Sequence, residues 1–172
     1  MSGKIIAGFI VVISLIAGAA IYYLQVYAYY ETVSARGQED VMLTALNSGA
    51  PEPVLHESFE AITATSSPIR YRACFKTPLS MALLSETFEP YEDAEPLVAP
   101  SWFECFDAVE VGEALESGAA LSFLGQENIQ YGIDRVVAIL PDGRGFVWHQ
   151  INACGAEAFD GKPVPEGCPE KP

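Results

Sequence analysis

YGIDRVVAILPDGRGFVWHQIN, residues 131–152, is the stretch on which the fold turns. Two apolar runs, Tyr131–Leu140 and Gly145–Asn152, flank Pro141-Asp142-Gly143-Arg144. Proline pre-sets φ for a turn, aspartate hydrogen-bonds its own backbone, and glycine accepts positive φ. A tetrapeptide of this kind between runs rich in Val, Ile, Phe and Trp makes an antiparallel hairpin.

Upstream of the hairpin, Ala119–Leu124 reads as a further strand ended by Gly125. Asp107 and Glu110 form a capping box for a helix over Ala108–Ser117, and Gly118 suits the left-handed residue that closes it. Trp102–Phe106 reads as a strand, and Phe88–Pro100, with its prolines at 90, 96 and 100, as an irregular loop. Thr77-Pro78 has the form of an N-cap followed by proline at the first helical position, which starts a helix running to Glu86 on Leu79, Leu83 and Leu84. Ile69–Lys76 alternates: Ile69, Tyr71, Ala73 and Phe75 on one face, Arg70, Arg72, Cys74 and Lys76 on the other. Phe59–Thr65 is a candidate strand, and Val41–Leu46 a short buried strand or helical turn before the Asn47–Pro53 loop. Glu31–Asp40 reads as a helical extension or neck ended by Gly37, and the chain after Cys154 as irregular to Pro172. The sum is an α+β domain, an antiparallel sheet of about five or six strands with two short helices, and no internal repeat.

The N-terminus has a different character. Ile5 to Tyr30 carries no charge, and Ile5–Leu24 is rich in Ile, Val, Leu, Ala and Gly. At about 1.5 Å per residue, a helix of that length crosses the roughly 30 Å of bilayer hydrocarbon. A cleaved signal peptide would use Ile5–Ile16 with Ala17-Gly18-Ala19 as its cleavage site, but apolar and aromatic residues continue past it, so a retained anchor is the better reading. The chain therefore divides into a transmembrane anchor, residues 1–30, and an acidic extracytoplasmic domain, residues 31–172. Tyr22, Tyr23, Tyr27, Tyr29 and Tyr30 make an interfacial aromatic belt, and Lys4 marks the cytoplasmic end. In a bacterium this describes a single-pass inner-membrane protein with its domain in the periplasm.

The four cysteines agree with that side. Cys74, Cys105, Cys154 and Cys168 all follow the anchor, and an even count in an oxidising compartment reads as two disulfides. Three connectivities exist. Cys74–Cys105 with Cys154–Cys168 is preferred because each pair sits within one region of the chain. The spacing contains no C-x-x-C redox pair, no haem-attachment motif and no paired zinc-ligand spacing.

Charge narrows the partners. Nine Lys/Arg stand against 23 Asp/Glu, a net charge of −14, and Lys4 is the only charged residue before Glu31. From Thr77 to Asp134 there is no Lys or Arg at all. Such a surface repels nucleic acid and anionic headgroups and favours a basic protein partner or a cation. The acidic region from Phe88 to Glu116 is the candidate docking surface, with Glu89, Glu92, Asp93, Glu95 and Glu104 at its centre. The same acids could offer oxygen to calcium, but their spacing matches no EF-hand loop, so no metal is expected.

No catalytic constellation stands out and no cofactor is expected. His56 and His149 are the only histidines. A triad on His149 would need Cys154 as nucleophile and Asp134 as the orienting acid, and an oxidised sulfur is not a nucleophile. Tyr131, Arg135, Trp148 and His149 are the candidate lining of a small aromatic pocket, with core or sheet-face roles as the default.

The segments Arg70-Tyr71-Arg72-Ala73-Cys74-Phe75, Trp102-Phe103-Glu104-Cys105-Phe106-Asp107, Tyr131-Gly132-Ile133-Asp134-Arg135-Val136-Val137, Trp148-His149-Gln150-Ile151-Asn152 and Gly167-Cys168-Pro169, taken with the N-terminal span, resemble an uncharacterised family of bacterial single-span proteins classed only as a domain of unknown function. The resemblance implies a membrane-tethered domain and brings no activity with it. Such families can attract a histidine-kinase label. Lys76-Thr77-Pro78-Leu79-Ser80 does resemble the end of a kinase phosphoacceptor box. The position of the phosphorylated histidine is Ala73, however, the glutamate position is Cys74, and no Gly-rich phosphate loop follows.

These readings converge on a non-enzymatic accessory, assembly or protein-binding component that meets the bilayer through residues 5–24 and a membrane or periplasmic protein through its acidic surface. A small-ligand sensor and an unrecognised periplasmic enzyme are the alternatives.

Overall fold

The computed structural model describes residues 3–171. Its strands are β1 (Tyr30–Val33), β2 (Met42–Thr44), β3 (Pro51–Pro53), β4 (Glu57–Ala64), β5 (Arg72–Lys76), β6 (Leu121–Gln130), β7 (Ile133–Ile139) and β8 (Arg144–Ile151). Its α-helices are α1 (Gly3–Tyr23), α2 (Met81–Thr87), α3 (Ala108–Glu116) and α4 (Ala153–Phe159). Six strands form one antiparallel sheet in the order β1-β4-β5-β8-β7-β6, and β2 and β3 form a separate two-stranded ribbon.

The β7–β8 hairpin lies inside the sheet, in register from Ile133↔Ile151 to Ile139↔Gly145. Its turn needs glycine at position 143: φ there is 84°, and a Cβ would stand 2.4 Å from the Thr77 carbonyl oxygen. Because β5, β8 and β7 are interior strands, both their faces are buried. Ala73, Phe75, Val137, Ile139 and Val147 point to one face, under Val41, Leu43, Val54, Leu84 and Phe88 from the β2–β3 ribbon and α2. Cys74, Val136, Ala138, Phe146 and Trp148 point to the other, under α3 and Phe103 and Phe106 of the preceding loop.

Within Ile69–Lys76 the three basic residues of one face meet three different environments. Arg70 closes a 3-10 turn (Pro68–Arg70), Lys76 is exposed at the strand end, and Arg72 is buried. The Arg72 guanidinium donates to four backbone carbonyls, Leu97 and Val98 in the acidic loop and Ile69 and Tyr71 in its own region, at 2.6–3.2 Å.

Other segments also differ from the sequence reading: β6 runs past Gly125 to Gln130, and Pro51–Pro53, read as part of a loop, is β3. Trp102–Phe106 is a pair of turns. Thr77-Pro78 does not start a helix; Ser80 caps α2 instead, its hydroxyl accepting from the Leu83 N–H. The Thr77 hydroxyl bridges the Leu55 carbonyl and the Leu79 N–H. In place of a helical neck, residues 30–33 form the edge strand β1, and Gln38–Asp40 a short 3-10 turn. Finally, α4 is a third short helix where the chain reads as irregular: Asn152 caps it by accepting from Gly155 N–H at 2.9 Å, and its Gly155 packs on Gly132 so tightly that a Cβ would meet the Gly132 carbonyl oxygen at 2.1 Å. The α3 helix follows expectation, with Asp107 accepting from Val109 and Glu110 N–H and Gly118 in the left-handed region.

The two cysteine pairs at bonding distance are Cys74–Cys105 and Cys154–Cys168. The first ties β5 to the loop before α3; the second ties α4 to the tail.

The N-terminal helix is α1 continued by a π-helical turn (Leu24–Ala28), and together they are long and apolar enough to cross a membrane. Its far end is fastened to the domain. Trp102 Nε1 donates to the Val26 carbonyl at 2.7 Å, and Arg70 donates to the Gln25 side chain while lying over the Tyr30 ring. Tyr30, the first residue of β1, meets Trp102 edge to face.

Candidate functional site

Two sites emerge, one cationic and one acidic. The first grows from cross-strand register. Tyr71 precedes β5, Arg135 sits on β7 and His149 opposite it on β8. All three point to the β2–β3 face of the sheet, beyond the end of the ribbon that covers its middle. The His149 ring stacks on Tyr71, with centroids 4.7 Å apart and planes 13° from parallel. Arg135 also lies over the Tyr71 ring, 4.7 Å from its centroid, and its Nε donates to His149 Nε2 at 3.1 Å. His149 Nδ1 is 2.7 Å from the Pro68 carbonyl oxygen.

These bonds fix the tautomer. An N–H must face the Pro68 carbonyl and a lone pair must face Arg135, so His149 is the neutral Nδ1–H form. Burial and the neighbouring Arg135 and Arg72 charges oppose a second proton and bring the His149 pKa down to about 4, against a smaller upward pull from the Pro68 bond. Burial likewise lowers the Arg135 pKa, partly offset by Tyr71. The stack forms one wall of a cleft of about 330 Å³, completed by Val33, Arg36, Glu39, Asp40 and Thr63.

The second site is a cleft of about 550 Å³, lined by Thr44, Pro51, Glu89, Tyr91, Glu92, Gln126, Glu127 and Asp134 among others. Its acidic loop is held rigidly. The Tyr91 N–H donates to the Ser122 carbonyl, and the Ser122 hydroxyl to the Tyr91 carbonyl at 2.8 Å. Gln150 clasps the loop from β8, donating to the Asp93 carbonyl at 2.8 Å and accepting from Glu95 N–H at 2.7 Å. Arg72 holds Leu97 and Val98 from beneath, and burial brings its pKa down to about 10.

At the floor, buried Asp134 accepts from Tyr91 Oη, Asn128 N–H and Asn152 Nδ2. Burial and this carboxylate push the Tyr91 phenol pKa up, so it stays a donor. Asp134 is therefore a structural hub joining the acidic loop, the β6–β7 turn and the cap of α4. It lies on the opposite face of β7 from Arg135, as strand alternation requires, and cannot orient His149.

The sequence-derived site residues scatter accordingly. Arg135 and His149 come together. Trp148, next to His149 on β8, points to the other face and is fully buried against Phe106. Tyr131 is half-buried in the β6–β7 connection. No single pocket holds all four. Tyr71, which completes the stack, reads in the sequence as an ordinary core-facing aromatic; only cross-strand register reveals its position. Of the acids, Glu89 and Glu92 line the acidic cleft, Glu127 joins them from β6, and Asp93 and Glu95 stand on the loop that Gln150 clasps. Glu104 lies apart, beside Cys105 and Phe103. Among the described residues, no group of three or more His, Cys, Asp or Glu side chains is placed to hold a metal ion. Cys154 is paired with Cys168 and has no thiol to offer His149.

Residues 41–169 match the model of a family of unknown function, DUF6446, and the chain belongs to that family. No curated protein and no solved structure matches the chain. The matched segment contains the acidic cleft, Tyr71, Arg135 and His149, and begins after the 36–40 turn that closes the cationic cleft.

Proposed function

We propose that this chain is a single-span protein of the bacterial inner membrane, N-terminus in the cytoplasm, whose periplasmic domain is a non-enzymatic accessory or assembly module. It docks a basic segment of another membrane or periplasmic protein. Lys4 before the apolar helix and the disulfides after it support the orientation.

One observation carries the docking role: a rigid, acidic surface that the chain does not neutralise. Among the described residues, Glu89, Glu92, Asp93, Glu95, Glu104 and Glu127 form no ion pair, and in the acid-only stretch Glu110 alone does, with Arg144 at 2.8 Å. Like charges held close by an ordered loop repel one another, and a cationic partner relieves that repulsion while gaining steering and register. The loop is already ordered by Arg72, Ser122 and Gln150, so little conformational entropy is lost on binding. The ties from Trp102 and Arg70 to the end of the membrane helix hold this surface at a set height above the bilayer.

The test is purification of the full chain from native membranes in mild detergent, beside the triple variant Glu89→Gln/Glu92→Gln/Glu127→Gln. The wild type brings a stoichiometric partner that high salt releases, and the triple variant loses it. Recovery of the same partner with both chains would refute the acidic cleft as the dock, and a bare wild-type chain in several detergents would refute the accessory role.

A further inference from the structure

The Arg135 cleft shares no lining residue with the acidic one. Arg135 is more than half-buried, in a chain where acids outnumber bases 23 to 9. Yet no carboxylate among the described residues lies within 4.0 Å ion-pair distance of it. A buried cation is costly unless paired, and partners are otherwise abundant in this chain. Its guanidinium is nonetheless held in place: Nε is bound to His149 and the plane is carried on Tyr71. Neutral His149 contributes no positive charge; it acts as an acceptor that sets the direction of the fork. The two Nη groups have no protein acceptor among the described residues, and they are the pair that binds a carboxylate through two parallel bonds.

We propose that this cleft binds a small zwitterionic carboxylate of the amino-acid class, its carboxylate on the Arg135 Nη groups. Thr63, whose hydroxyl makes no bond among the described residues, supplies a further donor on the same wall. Val33 offers a patch for an aliphatic group. Glu39 and Asp40, which line the same cleft, meet the ammonium. Asp40 is oriented by the Arg36 and Gly37 N–H groups, both on Oδ2 at 2.6 and 2.8 Å, which leaves Oδ1 open. The same two acids disfavour a dianion such as phosphate. A volume of about 330 Å³ suits a ligand of this size.

The experiment is saturation-transfer NMR on the full chain in detergent micelles, with glycine, L-alanine, acetate and methylamine as separate probes and inorganic phosphate, which has no carbon-bound proton, as a competitor of alanine. Glycine and alanine show saturable transfer, acetate weaker transfer and methylamine none, and phosphate does not displace alanine. Arg135→Lys, which keeps the charge but loses the fork, weakens alanine binding at least tenfold, and Thr63→Val weakens it several-fold in a chain whose melting is unchanged. The second variant tests the site even where Arg135 variants fail to fold. Absence of transfer from both amino acids to the folded wild type overturns the proposal. So does alanine binding that is indifferent to both substitutions, and so does displacement of alanine by an equal concentration of phosphate, which would mark a simple anion site.

Discussion

Acidification singles out one residue of this domain. His149 is neutral and buried, with both ring nitrogens committed, and its pKa is brought from 6.5 to about 4 by burial first, then by Arg135. In the unfolded chain it takes up its proton near pH 6.5; in the folded chain it does so only near pH 4. Between those values the unfolded state binds more protons, so stability falls as pH falls. The contribution is complete above about pH 6.5 and gone by about pH 4, and the difference amounts to about 3 kcal/mol at about 1.4 kcal/mol per pH unit. Protonation would also turn Nε2 from an acceptor into a donor facing the Arg135 Nε–H, breaking the bond that aims the fork. Many carboxylates titrate in the same range, so the comparison must be differential. His149→Gln keeps a donor for Pro68 and an acceptor for Arg135 and does not titrate. Urea unfolding of the full chain in micelles, followed by the fluorescence of Trp102 and Trp148, measures both proteins at pH 7.5 and pH 4. The wild type should lose about 3 kcal/mol more than the variant over that interval. Parallel loss by the two chains would refute the reasoning.

Removing the cation under the acidic loop is the second perturbation. Arg72→Met leaves the carbonyls of Leu97, Val98, Ile69 and Tyr71 without that donor; the relief of burying no charge offsets part of the loss, for a net cost of about 3 kcal/mol by denaturant titration and faster hydrogen exchange over residues 91–100. Gly155→Ala drives a Cβ to 2.1 Å from the Gly132 carbonyl, so α4 must move off the β6–β7 turn at a cost of about 2 kcal/mol or more, read as a lower unfolding midpoint and increased exchange confined to α4 and that turn. The paired change Cys154→Ser/Cys168→Ser opens a loop with a sequence separation of 14 and should cost about 3 kcal/mol, with exchange rising in the tail and not in the sheet.

The sheet's existence was legible wherever period and turn chemistry coincided. The Pro141–Arg144 reversal, the Asp107 cap and the neighbouring cysteine pairs all act locally, and local signals survive in a sequence. What failed was non-local. Alternation in Ile69–Lys76 separates two faces from Tyr71 on, Ile69 and Arg70 lying in the 3-10 turn, but cannot say that the second face is covered, because α3 and the 91–106 loop that cover it lie far along the chain. The alternation therefore puts Arg72 on a face without revealing that it is a buried clamp. Thr77-Pro78 has cap chemistry, yet a tertiary bond to the Leu55 carbonyl and a local one from the Leu79 N–H claim the hydroxyl, and the helix starts after Ser80. The pocket of Tyr131, Arg135, Trp148 and His149 overlooked a rule within reach: neighbours on a strand face opposite ways, so Trp148 and His149 cannot share a wall. Tyr71 could be added to Arg135 and His149 only through the pairing of β5 with β8, which no local pattern encodes.

The central claim is that the clasped acidic loop is a docking surface for a basic protein segment. A photo-crosslinking residue placed at Glu92 in the full chain, illuminated in living cells, tests it most directly. The prediction is one discrete adduct whose captured peptide is rich in Lys or Arg, absent when the crosslinker sits at exposed Lys162 and lost on adding Glu89→Gln/Glu127→Gln. No adduct at Glu92, or the same adducts from both positions, would contradict it.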